Sequence, residues 1–195
     1  MNKKILLMVI LCLCAVFCSS CSDKRPKYKN LAFEFFLHYN PTWEVKEHIE
    51  SAIVAFLAPK QNDQDFFQET MTITIQDLEK PVPLSAYTNA VTDQIKAIGT
   101  VKDVASNIID SEPMTIGGKP GHKLVYTLTQ YGAPPELIER GLAPRVDTEG
   151  QTVKMMLAWT IRENRVYLFT YVAQKDGYDL FLKDVDSMIE SFRFL

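Results

Sequence analysis

Apolar and polar residues alternate strictly over residues 70–76 and again over residues 153–161. A period of two places every second side chain on the same face, which predicts a half-buried β-strand in each segment. Six other segments are rich in aromatic or aliphatic residues and are bounded by turn residues, which predicts strands there as well. These segments are residues 31–39, 43–49, 52–58, 105–116, 121–130 and 166–173.

Two segments have helical spacing instead. Apolar residues recur every three or four positions over residues 84–98, with Ser85 as the predicted N-cap and Gly99 at the C-terminal end. A second helix is predicted over residues 177–192, where Phe181, Val185 and Met188 lie on one stripe.

The connections are short, and Gly117-Gly118 between two predicted strands indicates a tight hairpin. Strands that follow one another through such turns, with only two helices, indicate an α+β fold in which helices flank an antiparallel β-sheet. Six large aromatic residues are predicted to fill the interface between sheet and helices. They are Phe33, Phe36, Trp43, Trp159, Phe169 and Phe192.

The N-terminal residues have the pattern of a signal peptide. Lys3 and Lys4 precede an uncharged apolar run of thirteen residues, 5–17, which is short for a membrane span. Small residues then lead to Cys21, and this arrangement resembles a bacterial lipoprotein signal. The alternatives are an ordinary secretory signal that is cut near Ser20 and an uncleaved anchor.

The resemblance implies that Cys21 is acylated, for example with palmitate, and becomes the first residue of the mature protein. The expected location is the cell envelope, on the outer side of the cytoplasmic membrane or in the outer membrane. Residues 22–195 contain no cysteine, which excludes a disulfide or a thiol nucleophile in that region. The expected organisation is a signal peptide over residues 1–20, a tether over 21–30 and a single domain over 31–195.

The net charge of -3 is unevenly distributed. Lys24, Arg25, Lys27 and Lys29 form a basic collar directly after Cys21, whereas residues 30–195 hold 15 basic and 23 acidic residues. The collar suits either anionic headgroups beside a lipid anchor or a solvated linker. The acidic remainder argues against a nucleic-acid partner, because phosphate binding needs clustered Lys and Arg.

Residues 131–150 interrupt the strand pattern with glycine and proline, and ordered loops of this length are uncommon unless they are functional. The loop contains apolar side chains that would be costly to expose without a partner, which makes it a candidate partner-binding element. These side chains are Tyr131, Leu137, Ile138 and Leu142. The alternative is that they fold back on the sheet.

Catalytic signatures are missing from the sequence. No serine has the context of a nucleophile, and Gly117-Gly118-Lys119 lies between two strands, whereas a phosphate-binding loop precedes a helix. His38 and His48 fall on neighbouring predicted strands near acidic residues, but their spacing and that of His122 match no zinc motif. We therefore predict no catalytic residue, no metal site and no cofactor.

Several motifs resemble those of the Mog1/PsbP-like family, including its bacterial lipoproteins of the DcrB type. The predicted strand 31–39 runs into Asn40-Pro41-Thr42-Trp43, a hairpin spans residues 116–121, and the chain closes with Met188-Ile189-Glu190-Ser191-Phe192. The resemblance implies an α/β/α sandwich and an accessory or assembly role without enzymatic activity.

Three functions are compatible with these features. The first is a lipoprotein that binds a protein of the envelope through a sheet face or through the 131–150 loop. The second is an envelope lipoprotein that holds a small apolar or amphipathic ligand between sheet and helix, which requires a defined cavity. The third is a hydrolase, which requires convergent acids or a His–acid pair. The first fits the residues and the resemblance best.

Overall fold

The computed structural model describes residues 23–49, 51–62, 67–131 and 150–195. Within these ranges the chain forms helices α1 (Leu84–Ile98) and α2 (Tyr178–Ser191). The strands are β1 (Lys27–Asn30), β2 (Phe35–His38), β3 (Glu44–Ile49), β4 (Ala52–Leu57), β5 (Thr70–Asp77), β6 (Val104–Ile116), β7 (Lys119–Gln130), β8 (Gln151–Arg162), β9 (Arg165–Gln174) and β10 (Arg193–Phe194). Every predicted element is present, with ends moved by at most four residues.

The strands pair into two antiparallel sheets. The larger sheet has seven strands in the order β3-β4-β5-β9-β8-β7-β6, and the smaller has three in the order β1-β2-β10. Helix α1 connects β5, an interior strand of the large sheet, to β6, which is an edge strand of the same sheet. The predicted α+β class with an antiparallel sheet and flanking helices is therefore confirmed.

One face of the large sheet packs against both α2 and the small sheet. Met71 and Ile73 of β5 are completely buried there, and so is Phe192 directly after α2. The ring of Phe192 lies 5.1 Å from that of Phe169 in the large sheet and 5.3 Å from that of Phe35 in the small sheet. Phe192 thus joins the two sheets to the end of α2.

The opposite face of the large sheet packs against α1. Ile95 of the helix is 5% exposed, and it belongs to the same apolar cluster as the fully buried Leu124 and Trp159. The main sheet contacts of α1 are with β6 and β7. The helix therefore covers the part of this face that β6, β7 and β8 form.

The Asn40–Trp43 turn is fastened to α2 by one carboxylate. Asp184 accepts hydrogen bonds from Trp43 Nε1 at 3.1 Å and from Asn40 Nδ2 at 3.0 Å. Trp43 is 3% exposed, so its indole N–H needs a buried acceptor of this kind.

Three predictions were wrong. The tether over residues 21–30 is too long, because Lys27–Asn30 pairs with β2 as strand β1 and buries Tyr28. The N-cap of α1 is Pro83, and Ser85 lies inside the helix, because the proline fixes φ at −59° where the helix starts. Phe36 lies on the outer face of the small sheet beneath Lys27, whereas the sheet–helix interface was expected.

The Gly117-Gly118 hairpin offers a matched pair of substitutions. Both residues have left-handed backbone, with φ of +58° and +76°. Gly118→Ala is expected to cost about 1–2 kcal/mol, because only the backbone conformation is strained. Gly117→Ala is expected to cost about 1–3 kcal/mol more, because its Cβ would lie 2.9 Å from Cε2 of Phe194. Urea denaturation followed by tryptophan fluorescence measures both losses, and equal losses would show that Phe194 does not constrain the turn.

Candidate interaction surfaces

The structure describes only part of the predicted site. Cys21, Leu137, Ile138 and Leu142 lie outside the described residues, so their roles stay predictions. Tyr131 is described and is 48% exposed. Its backbone N–H donates to the carbonyl oxygen of Asp103 at 2.8 Å, and Gln130 pairs with Gln151. Residues 131–150 therefore connect two paired strands, β7 and β8.

A partly exposed surface lies on the α1 side of the large sheet, beyond β6 and β7. We call it the threonine face. It consists of partly exposed residues on one face of three adjacent strands, β4, β5 and β9, around Ala55, which pairs with Thr72 and is buried. They are Leu57, Thr70, Thr72, Thr74, Thr170 and Val172. Thr72 pairs directly with Thr170, and Thr70 with Val172, so the side chains form cross-strand rows.

All six side chains of the threonine face are of intermediate burial, whereas their neighbours on the other face, such as Met71 and Tyr171, are fully buried. Hydroxyl groups donate and accept hydrogen bonds, and the threonine methyl groups and the two aliphatic residues supply apolar contact. None of the six is titratable. The face therefore offers hydrogen-bonding hydroxyl groups and apolar contact side by side.

A groove of about 380 Å³ lies where the N-terminal segment meets α2 and the small sheet. Arg25 donates to both carboxylate oxygens of Asp23 and to the hydroxyl of Ser187 on α2. The Arg25 guanidinium holds the pKa of the Asp23 carboxyl well below its usual range. The carbonyl oxygen of Arg25 lies 3.0 Å from Nδ1 of His38. The chain is thus tied to the domain from Asp23 onward.

A second groove, of about 370 Å³, lies at the tip of the β8–β9 hairpin. Arg162 reaches Glu34 at 3.5 Å, and Arg165 binds Asp77 at 2.7 Å. Each arginine also lies over an aromatic ring, Phe194 and Phe33 respectively. Both described grooves are at the surface and are lined mainly by charged and polar side chains. Neither matches a site for an apolar ligand between sheet and helix.

The three histidines lie apart. His38 and His48 lie on consecutive strands, β2 and β3, but these strands belong to different sheets and do not pair. His122 stacks on Trp159 with ring centroids 5.3 Å apart, and its Nε2 lies 2.8 Å from the Ser111 hydroxyl. Burial lowers the pKa of His122. Within the described residues, no three His, Cys, Asp or Glu side chains are grouped to hold a metal ion.

In the part of the chain that the structure describes, neither helix is long and apolar enough to cross a membrane. No protein-family model matches the sequence, and no curated protein matches it.

Solved structures do match the fold. Cyanobacterial PsbP (CyanoP) from Synechocystis sp. PCC 6803 is 14% identical, with a TM-score of 0.60 over 91% of this chain and 97% of that protein. LpqN of Mycobacterium tuberculosis, a protein involved in cell envelope biogenesis, is 11% identical, with a TM-score of 0.54 over 89% and 86%. The Saccharomyces cerevisiae Ran-binding protein Mog1p is 11% identical, with a TM-score of 0.50 over 89% and 96%. The chain therefore has the Mog1/PsbP-like fold that its sequence motifs indicate.

Proposed function

We propose that this protein is a membrane-anchored envelope lipoprotein that acts as a non-enzymatic interaction or assembly accessory module. Acylated Cys21 attaches it to the membrane, and the threonine face binds a protein of the cell envelope. The observation that carries the binding role is the threonine face itself: six adjacent side chains on central strands that α1 leaves partly exposed.

The chemistry of this face supports a protein partner. An antiparallel sheet can leave one face to solvent, and here the threonine methyl groups, Leu57 and Val172 offer apolar area that another molecule can bury. The hydroxyl groups of Thr72 and Thr170 give such a contact directional hydrogen bonds. Structures of the same fold fit a binding role, since Mog1p is a Ran-binding protein and LpqN is involved in cell envelope biogenesis.

The 131–150 loop belongs to the same proposal. It leaves and re-enters the large sheet at Gln130 and Gln151, and Gln151 is on β8, next to β9. Tyr131, Leu137, Ile138 and Leu142 are proposed to extend the contact with the partner. Deleting residues 133–148 should then reduce partner binding while the thermal unfolding temperature stays within a few degrees, and a large drop in that temperature would assign these residues to the core.

Two charged substitutions on the threonine face should abolish partner binding. We expect Thr72→Arg combined with Thr170→Arg to reduce recovery of the partner at least tenfold, because two guanidinium groups would be desolvated at the contact. The measurement is chemical crosslinking in intact cells, followed by purification from membranes and quantitative mass spectrometry. Both threonines are partly exposed, so the arginines can reach solvent, and the thermal unfolding temperature of the variant checks that these two directly paired residues leave the fold intact.

Asn89→Arg combined with Gln94→Arg is the matched control. Both residues are exposed on α1, and the pair adds the same two positive charges away from the threonine face. The control should recover the same proteins as the unaltered chain. Equal recovery of the partner with the unaltered chain, the threonine-face variant and the control would refute the threonine face as the binding site.

A further inference from the structure

The outer face of the small sheet carries basic residues from both ends of the chain. In its strand register Lys29 lies opposite Phe36, and Phe36 lies opposite Arg193, so the three form one row across the sheet. Lys27 and His38 form the next row. The alternate residues, such as Phe35 and Leu37, point into the core and are fully buried. We call Lys27, Lys29, Phe36, His38 and Arg193 the basic face.

The basic face is more positive than the rest of the domain. Lys27, Lys29 and Arg193 are exposed, and Lys24 is exposed just before β1. The carboxylates nearby are Asp23, which is paired with Arg25, Glu190 at the end of α2, and Glu34 in the β1–β2 turn, which is paired with Arg162. Residues 30–195 as a whole hold 15 basic and 23 acidic residues. A surface of this kind attracts anions even though the domain as a whole has a net negative charge.

The position of Cys21 places this face close to a membrane. Asp23 and Arg25 are fixed to each other and to Ser187 of α2, at the edge of the basic face. Cys21 is two residues before Asp23, a distance of at most about 7 Å even in an extended chain. A lipid on Cys21 would therefore hold the domain directly against the headgroups, without a long tether.

Exposed leucines lie at the other end of the small sheet. Leu31, in the β1–β2 turn, is 71% exposed, and Leu195, after β10, is 48% exposed. Leu195 donates its backbone N–H to the carbonyl oxygen of Glu34 at 2.8 Å, which places both leucines by the same turn. Apolar side chains beside basic ones are the combination that binds at the interface of an anionic bilayer.

We infer that the basic face rests on anionic phospholipid headgroups of the membrane in which Cys21 is anchored. The anchor holds one end of the small sheet, Lys27, Lys29 and Arg193 bind lipid phosphates, and Leu31 and Leu195 enter the interface at the other end. The small sheet packs on the α2 side of the large sheet, so the threonine face on the α1 side points away from the membrane. This orientation rests on the proposed lipid anchor.

The test uses the full chain, purified from membranes and reconstituted into vesicles. An environment-sensitive fluorophore is attached at Ala32→Cys in the β1–β2 turn or, as a second site, at Gln94→Cys on α1. Both positions are exposed, and residues 22–195 have no other cysteine. Quenching by headgroup spin-labelled lipid is compared between vesicles of phosphatidylcholine alone and vesicles with added phosphatidylglycerol.

At position 32 we expect quenching several-fold stronger in the phosphatidylglycerol vesicles, and weaker again at high salt, since screening removes the attraction. Position 94 should stay unquenched in both. Lys27→Glu, Lys29→Glu and Arg193→Glu together should abolish the difference. The matched triple variant Lys80→Glu, Lys96→Glu and Lys102→Glu makes the same charge change elsewhere and should retain it. Equal quenching in both vesicles, loss of the difference in both triple variants, or quenching at position 94 would overturn the inference.

The lipid anchor and the membrane orientation of the basic face can be told apart in this experiment. The mass of the N-terminal peptide of the same preparation reports whether Cys21 carries lipid. A lipidated chain without phosphatidylglycerol-dependent quenching overturns the orientation and leaves the anchor standing. An unlipidated chain overturns the anchor and, with it, the orientation that rests on the anchor.

Discussion

Phe192→Ala is expected to reduce the free energy of unfolding by about 3–5 kcal/mol, the range for deleting a fully buried phenylalanine. Phe192 is completely buried and contacts Phe35 of the small sheet and Phe169 of the large one. Removing its ring would leave a cavity where both sheets meet the end of α2, and these three elements cannot close it together. Urea denaturation of the purified protein measures the loss.

Leu180→Ala is the control for this substitution. Leu180 is on α2 and is 60% exposed, so the change should stay within about 0.5 kcal/mol. If Phe192→Ala cost no more than the Leu180 control, Phe192 would not join the two sheets as described.

Cys21→Ala is expected to remove all lipid from the protein. In the proposed processing, the Cys21 thiol receives the lipid before the leader is cut, so alanine should prevent both lipidation and cleavage. The variant should incorporate no clickable palmitate analogue in cells and should migrate as the uncleaved precursor. Metabolic labelling followed by gel electrophoresis measures both effects.

Cys18→Ala is the matched control, because it removes a cysteine three residues earlier in the same leader. It should be labelled and cleaved like the unaltered protein. Continued labelling of the Cys21 variant, or loss of labelling in the Cys18 variant, would show that lipid is attached elsewhere.

The elements of the large sheet could be predicted because their patterns are local. Strict alternation over residues 70–76 and 153–161 indicates that one face of each strand is buried. This pattern does not depend on what packs against the other face. The stripe on α1 is equally local. The hairpin at Gly117-Gly118 followed from backbone that only glycine adopts readily.

The small sheet could not be predicted, because its strands are short and its pairing is distant in sequence. Strand β10 has two residues and pairs with β2, more than 150 positions earlier, so no periodic pattern marks it. Strand β1 was not predicted because Lys27 and Lys29 are typical of a solvated linker. Tyr28 between them is nevertheless buried. The error placed Lys27 and Lys29 on a tether, whereas they lie on a folded surface.

The candidate surfaces were predicted only in outline. A sheet face was named as one option, but the sequence could not say which half of it α1 leaves open, since that depends on where the helix crosses the strands. Thr72 and Thr170 become neighbours only through the pairing of β5 with β9. The basic face likewise needs Arg193, which only the β2–β10 pairing brings beside Lys29.

Binding of an envelope protein through the threonine face is the central claim, and site-specific photo-crosslinking in intact cells tests it most directly. A diazirine-bearing residue is placed at position 170 and, in a separate protein, at position 94 on α1. A discrete product with one membrane or envelope protein is expected from position 170 and not from position 94. No product from position 170, or the same spread of unrelated products from both positions, would contradict the claim.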